Sequence, residues 1–371
     1  MGKRRHFGAI RRLPSGRYQA RYLGPDGLYH TAPETFELKA DAAHFLSLVE
    51  AQLARNEWRD PARADVPLGE YAGEWIEQRP GLQPRTTELY RYLLRKHITP
   101  LLGGRRLGDF DNNPALIRSW RAELLASGVS ASSVAKAYRL LRAVLMTAVD
   151  DDLIRRNPCR LPRAGLEVAA ERPTLTAGQV AELAGRMPPR YSALILLTTY
   201  ASLRWGEAIA LQRRDLNLNA GSVRVRHSYS ELSTGEIVLG PPKSRAGLRV
   251  VAFPRSLVPL LGAHLEEYAA SGEDGLVFPA VKGGPLRRSY FNRLVSWKAA
   301  VEAIGVPELH FHDLRHTGNH LAAQVPGTTV RDLMQRMGHD NERAAMIYLH
   351  ATQGADRRIA DALPVQVGEQ A

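Results

Sequence analysis

Cysteine is almost missing from this sequence: Cys159 stands alone among 371 residues. One thiol excludes a disulfide framework within the chain and a cysteine-rich zinc site, and it fits a reducing cytoplasm. Acidic side chains are in deficit, 38 Asp and Glu against 50 Lys and Arg. Long apolar runs are also lacking. No stretch reaches 18 residues, so no membrane span is expected, and Met1–His6 leads into no apolar signal region.

The basic surplus gives a formal charge of +12 and a pI near 10.0. Such a balance favours a polyanionic partner, because each neutralised phosphate releases condensed counterions. Proteins of acidic membranes and ribosomes share this signature, so charge alone does not select DNA. The length suggests two or three domains.

Residues 1–60 form the first segment. Its first 21 residues carry Lys3, Arg4, Arg5, Arg11, Arg12, Arg17 and Arg21 and no acid. A solvated tail is the commoner fate of a short charge run. Here Tyr18 and Tyr22 alternate with the cations in strand fashion, which points towards nucleic acid. Pro25-Asp26-Gly27 marks a turn before a second strand, and Phe36 is expected to begin a third. Asp41 is placed to cap a helix with Phe45, Leu46, Val49 and Leu53 on its apolar side.

Residues 65–157 show helical periodicity throughout. Pro84, Asn113-Pro114 and Ser130 stand at helix starts, and Ser127-Gly128 is a stop. The Trp75, Trp120 and Leu stripes read as core. Arg85, Lys136, Arg139 and Arg142 supply a basic face. Residues 158–172 lack a period and read as a linker. Residues 173–360 mix helices with a strand-rich middle at 222–229, 236–239 and 247–253, expected as one small antiparallel sheet, with residues 361–371 as a tail.

Four separated pieces of this last segment carry chemistry. Arg204 sits in a helix-prone apolar run with Glu207 one turn on. Such an Arg either pairs structurally or is preorganised for a phosphate. Lys243, just before the strand at 248–253, is expected on a hairpin turn, where a Lys is usually solvated but could donate a proton in a DNA groove. His312 and Arg315 share a helix face, and an imidazole beside a guanidinium suits acid–base work on a phosphate. His312, His316 and His320 could instead form a metal face, but no Glu directly follows the first His, and the reading adopted is no metal and no cofactor. Finally, Thr328 or Thr329 caps a helix that Gly338 stops in the left-handed conformation. His339 falls in the bend, and Tyr348 lies late in a following helix capped by Asp340. A phenol is a poor nucleophile unless nearby cations stabilise its anion.

In this order the pieces resemble the tyrosine recombinase, or phage integrase, family. The resemblance assigns catalytic roles to Arg204, Lys243, His312, Arg315, His339 and Tyr348, with Tyr348 as nucleophile and Glu207 and His316 in support. Ser202 departs from the family pattern, standing where Gly is common. The stretch LPSGRYQARYLGPDG at 13–27 is similar to actinobacterial prophage integrases. The resemblance implies a mainly α, multidomain chain with small β-sheets. Residues 1–60 would be an arm-binding sheet-plus-helix domain, 65–157 a helical core-binding domain, and 173–360 a mixed α+β catalytic domain. It implies a site-specific DNA strand transferase working through a 3′-phosphotyrosyl link, without metal or ATP, that integrates or excises a phage or mobile element. The implied partners are double-stranded attachment sites, a homotetramer on DNA, and a directionality factor or DNA-bending protein at a bacterial nucleoid. A type IB topoisomerase, a non-catalytic DNA-binding protein and a metal-dependent nuclease are the rivals.

Overall fold

Ala20 and Tyr22 alternate with exposed Arg21 and Leu23 along β2 (Tyr18–Leu23), so one face of the strand is buried. β2 pairs antiparallel with β1 (Ala9–Arg12) and β3 (Tyr29–Thr31), and the buried face packs on Ala42, Leu46 and Val49 of α1 (Lys39–Ala54). The expected sheet-plus-helix forms, with two corrections. The basic run itself supplies β1, whereas Phe36 makes only a single bridge to Tyr18. Asp41 lies inside the first turn of α1, and Leu38 precedes it with no side-chain cap. A carboxylate in that turn still faces the positive end of the helix.

The computed structural model describes residues 6–55, 58–60, 62–167 and 172–338. Contacts divide the chain into two units, Met1–Ala169 and Ala170–Ala371. In the first, the sheet is followed by α2 (Leu68–Glu77), α3 (Pro84–Leu93), α4 (Thr99–Leu102), α5 (Pro114–Ala126) and α6 (Ala131–Asp150). Pro84 opens α3, while the side chains of Asn113 and Ser130 accept from Leu116 N and Ser133 N at the starts of α5 and α6. Trp75, Trp120, Tyr138 and Leu141 close a core of their own. Residues 158–167, read from sequence as a linker, lie against that core. Cys159 and Ala164 are buried in it, and Leu161 N donates to the Tyr138 hydroxyl at 2.9 Å. Burial pushes the Cys159 thiol up to about 12, which leaves it unreactive.

The second unit opens with α7 (Ala177–Gly185), α8 (Pro189–Tyr200) and α9 (Trp205–Ala208). Five strands follow: β4 (Leu216–Asn217), β5 (Ser222–Val225), β6 (Ser228–Glu231), β7 (Ile237–Gly240) and β8 (Arg249–Ala252). They make two sheets where one was expected, β4-β5-β8 and the hairpin β6-β7. Arg226 ends β5 by turning to the buried Asp215, Nε to Oδ1 2.6 Å, so the run at 222–229 cannot continue as one strand. The chain ends its described course with α10 (Val258–Glu267), α11 (Arg288–Leu294), α12 (Trp297–Ala303), α13 (Asp313–Ala323) and α14 (Val330–Met337). Leu194, Tyr191, Phe291, Trp297 and Phe311 meet in the core. α13 crosses α8 at Gly318, where an added Cβ would fall 1.9 Å from Thr199 O, so only glycine admits this approach. Among the described residues no helix is long and apolar enough to cross a membrane.

Candidate active site

The apolar helix α8 stops at Tyr200, and Ser202 then turns the chain with φ of 51°. Arg204 therefore lands just before α9, with Glu207 in the first turn. Glu207 has no solvent exposure. Its Oε1 accepts from Arg204 Nη1 at 2.6 Å, and its Oε2 accepts from Arg204 N and from Arg249 Nη2, each at 3.0 Å. Burial pushes this carboxyl up, but the Arg249 and Arg204 charges outweigh it and hold it below the ordinary value. Glu207 is an anion between two guanidiniums.

Arg315, in α13, is 2% exposed. Its Nη1 donates to Ser202 O and its Nη2 to Met337 O. Arg204 Nη2 donates to the next carbonyl, Gly338 O, at 3.4 Å. Gly338 stands at φ 63° and ends α14 as a left-handed stop, with Thr329 capping the other end. Two guanidiniums from distant parts of the sequence are thus docked on consecutive carbonyls of one bend.

His312 immediately precedes α13, and its ring meets that of His316 edge-on at 5.2 Å. Desolvation by the surrounding protein, helped by His316 and Arg315, pushes His312 down to about 4, although the residue as a whole remains exposed. Burial also lowers His316. Both rings are neutral near pH 7. His320 turns elsewhere, with the Gln324 amide donating to its Nε2 at 2.9 Å. The only three-member group of metal-ligand type among the described residues is Asp26, His30 and Asp60. There the carboxylates flank opposite ring nitrogens, 2.9 Å from Nε2 and 3.5 Å from Nδ1, which suits a held imidazole better than a single ion.

Lys243 does not sit on a hairpin turn. β7 and β8 belong to different sheets, and Lys243 lies exposed on the connector between them. Ser244, the next residue, donates to Gly338 O at 3.4 Å, so the Lys243 loop is tied to the same bend as Arg204. His339, Asp340 and Tyr348 lie outside the described residues. The structure brings together Arg204, Glu207, Arg315 and the segments bearing Lys243 and His312, up to the residue before His339.

The basic candidates of the first unit are more varied. Lys3, Arg4 and Arg5 lie outside the described residues. Arg11 donates to Gln19 at 2.7 Å, Arg12 to Gly16 O at 3.3 Å, Arg17 pairs with Glu37 at 3.1 Å, and Arg21 covers the Tyr29 ring at 4.5 Å. Arg85 pairs with Glu88 at 3.3 Å. Lys136 and Arg139 converge on Glu167, at 3.2 and 2.5 Å. Arg142 is exposed.

Sequence reasoning missed Arg249. The signal was present: alternation along β8 places Arg249 on the inward side with Val251, while Val250 is 55% exposed.

Comparison with solved structures gives the class of fold. The Tn1549 transposon integrase in complex with a circular intermediate DNA superposes with a TM-score of 0.70 at 19% identity, covering 80% of this chain and 100% of that one. A lambda integrase, solved as a tetramer bound to a Holliday junction, matches with a TM-score of 0.53 at 18% identity over 90% of this chain and 96% of its own. This is the fold of tyrosine-recombinase integrases. Sequence comparison is more specific. Residues 6–55 match the phage integrase N-terminal domain, and residues 173–354 match the phage integrase family. The prophage phiRv2 integrase of Mycobacterium tuberculosis is 38% identical over 96% of this chain and 95% of its own length. The integrase of Mycobacterium phage D29 is 33% identical over 96% of each. The chain belongs to the phage integrase family and is a tyrosine-type site-specific DNA recombinase.

Proposed function

We propose that Arg204, Lys243, His312, Arg315, His339 and Tyr348 form one site in which the Tyr348 phenol attacks a scissile DNA phosphate. The observation that carries this reading is the docking of Arg315 and Arg204 on Met337 O and Gly338 O. Two fixed cations beside the residue preceding His339 supply positive charge where a pentavalent phosphorus would concentrate negative charge.

In this reading Arg204 and Arg315 grip the non-bridging oxygens, and His339 donates a further hydrogen bond. The Tyr348 oxygen bonds to phosphorus as its proton passes to neutral His312. The bond from phosphorus to the 5′-oxygen breaks, and Lys243 protonates that leaving oxygen. Glu207 orients Arg204, and His316 sits against His312. The resulting 3′-phosphotyrosyl link retains the bond energy, so a 5′-hydroxyl from another strand reverses the step without ATP. Two such rounds in a homotetramer exchange strands, integrating or excising a phage or mobile element at its attachment sites. The lambda tetramer on a Holliday junction supports that assembly. Residues 1–60 serve as the arm-type module and 65–157 as the core-binding module, with a directionality factor or DNA-bending protein setting the outcome in the host cytoplasm. The cations Arg11 and Arg12 on β1, Arg21 on β2 and Arg17 just before β2 support the first assignment.

The test is covalent trapping on nicked attachment-site DNA. Wild-type protein forms a protein–DNA adduct, and Tyr348→Phe forms none while binding DNA within a few-fold of wild type. An adduct with Tyr348→Phe removes Tyr348 from the role.

A further inference from the structure

One buried cation beside the site has no part in the chemistry above. The Arg249 side chain is 3% exposed, and all three of its guanidinium nitrogens are engaged by protein acceptors. Its guanidinium donates to four acceptors on three stretches of chain, around Ser202–Glu207, at Gly247 and at Arg336. Nε donates to Arg336 O at 2.9 Å, Nη1 to Gly247 O at 3.1 Å, and Nη2 to Glu207 Oε2 at 3.0 Å and Ser202 O at 3.4 Å.

Each acceptor is a joint for a different proposed catalytic group. Glu207 holds Arg204 through its other oxygen. Ser202 O also receives Arg315 Nη1. Gly247 closes the short turn that follows Lys243. Arg336 is two residues before Gly338, and an added Cβ at Gly338 would lie 3.2 Å from Arg249 Cδ, so the Arg249 stem packs under the bend that leads to His339. A planar guanidinium can serve four acceptors in fixed directions, whereas an ammonium is a point charge on a flexible stem. A buried ion pair can often be exchanged for apolar bulk without loss of stability, so stability alone gives weak reason for a charge here.

We propose that Arg249 is a positioning residue that aligns Arg204 and Arg315 on the scissile phosphate, acting through Glu207 and the Ser202 carbonyl. This rests on the reading that those two guanidiniums grip that phosphate.

The experiment compares full-length wild type, R249K and R249M. It measures the thermal midpoint, DNA affinity by gel shift, and the maximal single-turnover rate of adduct formation at saturating nicked DNA. The expected result is a maximal rate lowered about 100-fold in R249M and about 10-fold in R249K, as for lost transition-state donors. Half-saturating DNA stays within about three-fold of wild type, because uniform binding is untouched. R249K isolates geometry, since it keeps the charge on Glu207 but loses the fork. If R249M does not fold, R249K alone decides. A folded R249K that cleaves at the wild-type rate overturns the proposal, as does a deficit that saturating DNA restores. A wild-type protein that forms no adduct overturns the parent reading with it. A wild-type adduct with unimpaired R249K overturns this inference alone.

Discussion

Glu207 and Arg204 are joined twice within one turn of helix, through Oε1 to Nη1 at 2.6 Å and through Oε2 to the Arg204 amide at 3.0 Å. With no water reaching the carboxylate, its charge is balanced only by protein, and Arg249 supplies the other half. The pair fixes the guanidinium from behind and leaves Arg204 about a quarter exposed, 24% of its side chain, for an incoming anion.

Glu207→Gln keeps the shape and removes the charge. Two buried or half-buried guanidiniums then face a neutral amide, and stability should fall by roughly 3 kcal/mol, the scale of breaking a buried pair on one side. Denaturant unfolding at pH 7 measures it. The pH dependence has a definite sign. The folded-state pKa of Glu207 lies below its ordinary 4.5, so its contribution is complete above that value and is lost as pH falls through the folded one. The difference in stability between wild type and variant should therefore shrink below pH 4.5. A gap that widens on acidification contradicts the assignment.

His312 predicts a different profile. Its imidazole is pushed down to about 4, so it remains an unprotonated base through the neutral range. The adduct-forming rate should be insensitive to His312 titration between pH 6 and 8, a range set by a pKa near 4, and should fall as pH approaches that value. Because folding disfavours its protonation, stability also declines as pH drops from the ordinary 6.5 towards 4. Rates must be read at pH values where circular dichroism shows the protein folded. In His312→Gln the acid limb of the rate profile should vanish; an unchanged limb assigns it to another group.

The residues proposed for this chemistry were legible because the family motif preserves spacing: Arg204 with Glu207, and His312 with Arg315, are each three apart. Helix caps at Asn113, Ser130 and Thr329 were legible for a local reason, since a side-chain oxygen three residues before an amide is enough to start a helix. What escaped depends on contacts between distant segments. Nothing local says that Arg226 leaves its strand for Asp215, or that β7 and β8 join different sheets, and so Lys243 was assigned to the wrong kind of loop. Arg249 escaped because an inward Arg on a short strand is informative only once its parity with Val251 is taken seriously.

Ser202 occupies a backbone conformation that favours glycine, at φ 51°, and its buried hydroxyl has no hydrogen-bond partner among the described residues. Ser202→Gly removes the left-handed penalty of about 1–2 kcal/mol. The greater freedom of glycine in the unfolded chain offsets part of it. The expected net is a gain of about 0.5 kcal/mol with adduct formation retained, because the Ser202 carbonyl that receives Arg249 and Arg315 is unchanged. Thermal unfolding and trapping on the same preparation check both halves. A loss of stability means that the hydroxyl has a role the geometry does not reveal.

Glu167 pairs with two of the cations proposed for the DNA-binding face, Lys136 and Arg139. Hydrogen bonds from Ser132 and Arg139, with Lys136 beside them, pull its carboxyl down to about 2. At neutral pH it therefore neutralises part of the charge that Lys136 and Arg139 would offer to phosphates. Glu167→Gln releases both. Binding to non-specific duplex should tighten, and the slope of log K against log salt should steepen by about 1 for each cation that engages a phosphate. Lys136→Ala in the wild-type background should change that slope by less than the same substitution made with Glu167→Gln, because in wild type the ammonium is already paired. Titrations of labelled duplex at four salt concentrations resolve the comparison. Equal slopes for wild type and Glu167→Gln would mean that Lys136 and Arg139 face away from the duplex and that Arg142 and the N-terminal cations carry the contact.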